Sequence, residues 1–94
     1  MAENDIVILQ FSSITCQPCT AIRQRIDAWQ NSHSSVEAWH ISIDEYPEMA
    51  AQNQVLTFPT VVVYVDGKEA IHESGYFSLD DVLARVERYI ELMG

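Results

Sequence analysis

The chain has 94 residues, enough for one domain with one core and too few for two. An apolar content of 48% fits a folded chain rather than a disordered one. The formal charge of −9, from 14 acidic against 5 basic residues, argues against partners that present a phosphate backbone or an anionic membrane surface. The longest apolar run, Val61 to Val65, has five residues, far below the roughly 18 of a membrane helix. The start, Met1-Ala2-Glu3-Asn4-Asp5, is acidic where a secretory signal opens with positive charge, so the chain is expected to be cytoplasmic.

Ile6-Val7-Ile8-Leu9-Gln10-Phe11 is a β-branched and aromatic run that predicts a strand covered on both faces. Ser12, Ser13 and Thr15 break it. Cys19, Ile22, Ile26 and Trp29 then recur at helical spacing, with Pro18 in the first turn, where a helix tolerates proline. Asn31 to Ser35 ends that helix. Val36 to Ile43 reads as a second strand, with Trp39, Ile41 and Ile43 on one side. A short helix runs from Pro47 to about Asn53. Thr60 to Val65 is a strand, and Asp66-Gly67 is a strong hairpin signal that returns residues 68–73 antiparallel to it. Ser78 with Asp81 caps a last helix whose core face is Leu79, Val82, Leu83, Val86, Ile90 and Met93.

The expected order is therefore β-α-β-α-β-β-α, an α/β fold in one domain over 1–94. Two right-handed crossovers of the βαβ kind are expected, with the last strand as an antiparallel edge. Ligand chemistry in such sheets gathers where a strand ends and a helix begins. Cys16 lies there.

Cys16 and Cys19 are the only cysteines, and a bridge between them closes too short a loop to stabilise the chain by restricting its unfolded state. Chemistry explains the pair better than stapling. At the helix start, orphan N–H groups and the dipole favour a Cys16 thiolate, while Cys19 lies one turn in on the apolar stripe. An exposed thiolate beside a buried thiol is the asymmetry that dithiol exchange uses. Half a zinc site is the competing reading, but zinc takes four ligands and His33, His40 and His72 are scattered, so no metal is expected. Two buried inert thiols and a cluster bridging two chains through Cys16 are further alternatives. Phe58-Pro59-Thr60 precedes the strand at 60–65, where proline is allowed and its peptide is either trans or cis.

Phe11, Cys16-Gln17-Pro18-Cys19, Ile43-Asp44, Phe58-Pro59-Thr60, Asp66-Gly67 and Gly75, in this order and spacing, resemble the thioredoxin family over nearly the whole chain. The resemblance implies a thioredoxin-like fold with a four-stranded mixed central sheet, here lacking the usual N-terminal β-α unit. It implies Cys16 as nucleophile, Cys19 as resolving thiol and Pro59 as a cis-proline facing them. The substrate groove maps onto Thr15, Gln17, Pro18, Thr57, Phe58, Gly75 and Tyr76, with an extended substrate segment pairing to the backbone before Pro59. The implied activity is thiol–disulfide oxidoreduction of protein disulfides, most simply as a reductase in cell redox homeostasis. It needs no cofactor beyond the Cys16–Cys19 disulfide, and a thioredoxin-reductase-type or other thiol donor supplies the electrons. The alternative is a redox-weak module that binds partner proteins through the same groove. The chain is expected to act as a monomer, with no nucleic acid or membrane partner.

Four positions depart from the family pattern. Thr15 stands for the usual Trp and Gln17 for Gly. Gln10 aligns with the family's buried Asp, and His40 with its partner Lys. Gln cannot act as a base at neutral pH, which leaves His40, a water or bulk solvent to move the Cys19 proton. A packed or solvated strand histidine is the plainer reading of His40. The acidic residues fall mostly on helix faces and turns. An electropositive partner is therefore expected to associate faster at low ionic strength, and a salt-independent association rate excludes that steering role.

Overall fold

A computed structural model describes residues 5–55 and 57–93, apart from the side chain of Met93. The first four residues, used for the cytoplasmic expectation, and the core-face placement of Met93 lie outside the described residues. The elements are β1 (Ile6–Ser12), α1 (Gln17–Gln30), β2 (Val36–Ser42), α2 (Pro47–Gln52), β3 (Thr60–Val65), β4 (Lys68–Ser74) and α3 (Leu79–Met93). They follow the expected order, with bounds shifted by a residue at some ends.

The strands form a four-stranded mixed sheet in the order β2-β1-β3-β4. β1 pairs in parallel with β2, from Ile6 opposite Val36 to Ser12 opposite Ser42. β3 runs antiparallel to β1, with Thr60 opposite Phe11. This corrects the expectation of two parallel crossovers, because only β1-α1-β2 makes one. The six residues of α2 rise about 9 Å, whereas the seven of β2 span about 23 Å. The chain leaves α2 still at the end of the sheet where β2 finished, and β3 starts there and runs back. β4 is the antiparallel edge, as expected, reached through Asp66 and Gly67 with φ of +55° and +81°. Two consecutive left-handed residues are what a two-residue hairpin turn of the right twist requires.

Alternation along the strands divides the core by face. Ile6, Ile8, Val36, Val61, Val63 and Ile71 pack against Ile26 of α1 and Leu79, Val82, Leu83 and Val86 of α3. Phe11, Ile41 and Val62 pack on the other face against Ala50 of α2 and Val55. Trp39 lies on this second face with Ile41 but is 54% exposed. β2 is an edge strand and α2 is too short to reach Trp39, so the indole borders an open groove with Val7, Leu9, Tyr46 and Met49. α1 and α3 are joined at their rims by the Arg25–Asp80 ion pair and by Trp29 Nε1, which donates to Glu87 Oε2 at 2.9 Å. Among the described residues, no helix is long and apolar enough to cross a membrane.

Two helix ends supply stability tests. Gln54 has φ of +59°, its N–H donates to Ala51 O, and the N–H of Val55 donates to Ala50 O at 2.9 Å. This is a Schellman ending with a non-glycine residue in the left-handed position. Gln54→Gly relieves a side-chain clash of about 1–2 kcal/mol against the entropy glycine adds to the unfolded chain. A net gain of about 0.5–1 kcal/mol is expected in urea unfolding, and a loss would contradict the strain argument. At α3, Ser78 Oγ accepts the Asp81 N–H at 3.1 Å. Ser78→Ala is expected to cost about 1 kcal/mol in the same assay.

Candidate active site

The loop between β1 and α1 carries the cysteine pair. It is tied down from both sides. Ile43 N–H donates to Ser12 O at 2.9 Å, and Ile14 N–H donates to Asp44 Oδ2 at 3.0 Å. Cys16 N–H closes a turn onto Ser13 O at 3.0 Å. Asp44 therefore holds the loop through its carboxylate, a role the sequence signalled only through Ile43-Asp44 among the residues of the family resemblance.

Cys16 is the N-cap of α1, in extended backbone conformation, and Pro18 stands in the first turn. Its side chain makes no capping hydrogen bond, so its sulfur lies at the helix start without competing for the orphan N–H groups. Cys16 and Cys19 are joined in a disulfide, with Cα atoms 5.5 Å apart. Cys16 is half-buried and Cys19 is 4% exposed. Cys16 is thus the more exposed of the two residues, in line with the expected asymmetry.

Phe58-Pro59 is a cis peptide, and Pro59 is buried. Gly75, at φ +74°, donates its N–H to Pro59 O at 3.0 Å, and Thr60 Oγ1 donates to Thr57 O. The segment before β3 and the end of β4 are thereby fixed to each other. Between them and α1 runs a groove of about 350 Å³. Pro18, Thr57, Phe58, Gly75 and Tyr76, which the family resemblance assigns to the substrate groove, line it together with Pro59. Thr15 and Gln17 are exposed on the loop and first turn but lie outside this lining. Ile22 and Phe77 line it instead. Sequence reasoning had assigned Ile22 to the core stripe of α1; it sits at the border of core and groove.

Beneath the pair lies a buried polar group. Gln10 is 1% exposed, and its Nε2 donates to Cys19 O at 2.9 Å. His40 Nδ1 donates to Gln10 Oε1 at 2.7 Å, and His40 Nε2 lies 2.9 Å from Asp27 Oδ1. Both ring nitrogens of His40 are engaged, and Gln10 separates the imidazole from Cys19. His40 is thus a bonded side chain rather than a solvated one. Asp27 lies off the stripe of Cys19, Ile22, Ile26 and Trp29, so the apolar pattern of α1 does not mark it. A carboxylate two turns beyond Cys19 was the signal available for its role.

The family model for thioredoxin matches residues 1–88. Thioredoxin from Chlamydia caviae is 26% identical over 84 residues, which cover 89% of this chain and 82% of that protein. Thioredoxin-1 of Saccharomyces cerevisiae is 26% identical over 69 residues, covering 73% and 67%. Thioredoxin H2 of Arabidopsis thaliana is 32% identical over 66 residues, covering 70% and 50%. Among solved structures, thioredoxin 1 from Thermosipho africanus superposes with a TM-score of 0.85 at 28% identity, covering 93% of this chain and 97% of that one. Fasciola hepatica thioredoxin superposes with a TM-score of 0.83 at 26% identity, covering 94% and 85%. With its mixed sheet, its Cys16–Cys19 pair at the β1–α1 junction and this likeness along most of its length, the chain belongs to the thioredoxin family.

Proposed function

We propose that this protein is a thiol–disulfide oxidoreductase that exchanges its Cys16–Cys19 dithiol with protein disulfides, acting as a reductase. Family membership and the CxxC pair support the exchange chemistry. The observation that carries the reading is the capping position of Cys16 beside a buried Cys19. In the reduced protein, Cys16 as thiolate is stabilised by the positive end of α1 and attacks a substrate sulfur. The substrate disulfide breaks, one substrate thiolate leaves, and a mixed disulfide holds the other sulfur on Cys16. Cys19 then attacks Cys16 Sγ, the second substrate thiolate leaves, and the Cys16–Cys19 bond forms. Two electrons pass from the dithiol to the substrate, and the protons of the two cysteines end on the released thiols.

In this proposal the chain works as one domain over 1–94, as a cytoplasmic monomer. It carries no cofactor other than its own disulfide, and a reductase of the thioredoxin-reductase type or another thiol donor regenerates it. The partners are protein disulfides, with no nucleic acid or membrane among them. Substrate contact falls to Thr57, Phe58, Gly75, Tyr76 and Pro18 along the groove, with Pro59 facing the pair and Thr15 and Gln17 at its outer rim. Few charges lie along this groove, so recognition rests on backbone pairing and apolar contact.

A second reading, an interaction module with slow redox chemistry, is favoured by Gln10, which offers Cys19 a donor where a base is wanted. Alkylation of the reduced protein against pH separates the two. Reactivity of Cys16 persisting well below the range of a free cysteine supports exchange, and reactivity confined to that range supports the module.

Insulin reduction driven by a chemical thiol tests the mechanism directly. Cys16→Ser is expected to abolish it, and Cys19→Ser to trap a mixed disulfide on Cys16, visible as a mass adduct lost on reduction. Full activity in Cys16→Ser sinks the mechanism. Tyr76→Ala is expected to raise KM for insulin roughly fivefold with little change in kcat, the mark of a contact made equally before and during reaction.

A further inference from the structure

Three hydrogen bonds run unbroken from α1, through the edge strand β2 and the central strand β1, and back to α1: Asp27 to His40, His40 to Gln10, and Gln10 to the Cys19 carbonyl. The donors and acceptors can be assigned along it. The Cys19 carbonyl only accepts, so Gln10 turns its Nε2 toward it and leaves Oε1 for His40. An amide oxygen also only accepts, so His40 Nδ1 carries a proton. Asp27 is a carboxylate, so Nε2 meets a second acceptor. Both bonds are made together only when both ring nitrogens are protonated.

We propose that His40 is a positioning residue: as an imidazolium held between Asp27 and Gln10, it clamps α1 onto β1 and β2 and so holds Cys19 in place for closure onto Cys16. This inference rests on the exchange reading of the cysteine pair. The clamp grips α1 at two places, the Cys19 carbonyl in its first turn and the Asp27 carboxylate two turns on, about 12 Å apart along the axis. A neutral imidazole has one N–H and cannot keep both ends. With the proton on Nδ1, the Nε2 lone pair faces the Asp27 carboxylate. With the proton on Nε2, Gln10 must reverse its amide and bring Oε1 against the Cys19 carbonyl. Either way one grip is lost, and Cys19 is held less closely in line with the bond it must attack.

Few other groups bear on this imidazole. Asp27 is the charged side chain of α1 that meets it, and Arg23 stands one turn earlier on that helix. β1 offers the uncharged Gln10. On β2 itself, Glu37 accepts from Trp39 Nε1 on the opposite face of the sheet. The side chain of His40 is 15% exposed and that of Asp27 54%, so protons reach the clamp from solvent.

Closure by glutathione disulfide isolates the step. Cys16 thiolate attacks that disulfide and releases one glutathione thiolate. Cys19 thiolate then attacks Cys16 Sγ, the Cys16–glutathione bond breaks, and the second glutathione leaves, its proton drawn from solvent. Rates of this second step between pH 5 and 8, where imidazoles exchange their proton, are compared for the wild type, His40→Leu, Gln10→Leu and the double variant. The wild type is expected to depart from the steady rise that thiol ionisation gives, with an added inflection. His40→Leu should remove the inflection and slow closure at pH 6 by roughly five- to tenfold, and should change nothing further once Gln10 is Leu. In long-range ¹H–¹⁵N spectra of the wild-type oxidised protein, both His40 nitrogens should be protonated at pH 6, and the Gln10 side-chain amide should titrate with the imidazole. Superimposable closure profiles for wild type and His40→Leu, or a Gln10 amide indifferent to the imidazole, overturn the clamp. Neither measurement uses a protein substrate, so failure to reduce insulin counts against the proposed function and leaves these outcomes to decide the clamp.

Discussion

A glutamine buried at the end of a central strand must find partners for both halves of its amide, because each unpaired buried polar group costs about 1–3 kcal/mol. Gln10, 1% exposed, finds them on different elements, Cys19 of α1 and His40 of β2. That single demand fixes much of the site. It requires the parallel register that sets Gln10 opposite His40, since a slip of one residue would turn the imidazole to the other face of the sheet. It also requires α1 to begin where the Cys19 carbonyl can reach the amide. The helix start that favours a Cys16 thiolate is therefore anchored to the sheet beneath the neighbouring cysteine, rather than set by the loop alone.

Much of this was legible in the sequence, where local chemistry was decisive. The β-branched run of 60–65, the Asp66-Gly67 turn, the stripe of α3 and the Cys16 junction all follow from patterns that one element carries by itself. What escaped depended on other elements. The direction of β3 is set by how far α2 returns the chain, which apolar alternation in β3 does not encode. The exposure of Trp39 follows from the reach of a short helix across an edge strand. Asp27 reads as an outer-face carboxylate until the strand bearing His40 is set beside it. The groove was read from family resemblance, and the cavity in the structure is lined by Pro18, Thr57, Phe58, Gly75 and Tyr76 of that set. The resemblance missed Ile22 and Phe77, apolar residues that a sequence assigns by default to the core.

The departures from the family pattern concern how the pair is supported, not where it sits. A carboxylate beneath Cys19 would accept a proton there. The amide found here offers a donor instead, and the imidazole behind it is bonded to a carboxylate on the same helix that carries the cysteine. Support of this kind is geometric first.

The bond from Gly75 N–H to Pro59 O joins two stretches of chain that a groove could otherwise have left to move apart. With the opposite wall formed by a helix that Gln10 holds to the sheet, the cleft exists before anything enters it. Under the proposed function, a segment of substrate that lies down there surrenders its own conformational freedom, while the protein has little left to surrender. On that reading, affinity in the cleft is governed by the entropy of the guest, and stretches already extended around their disulfide stay longer than unfolded or loosely folded ones.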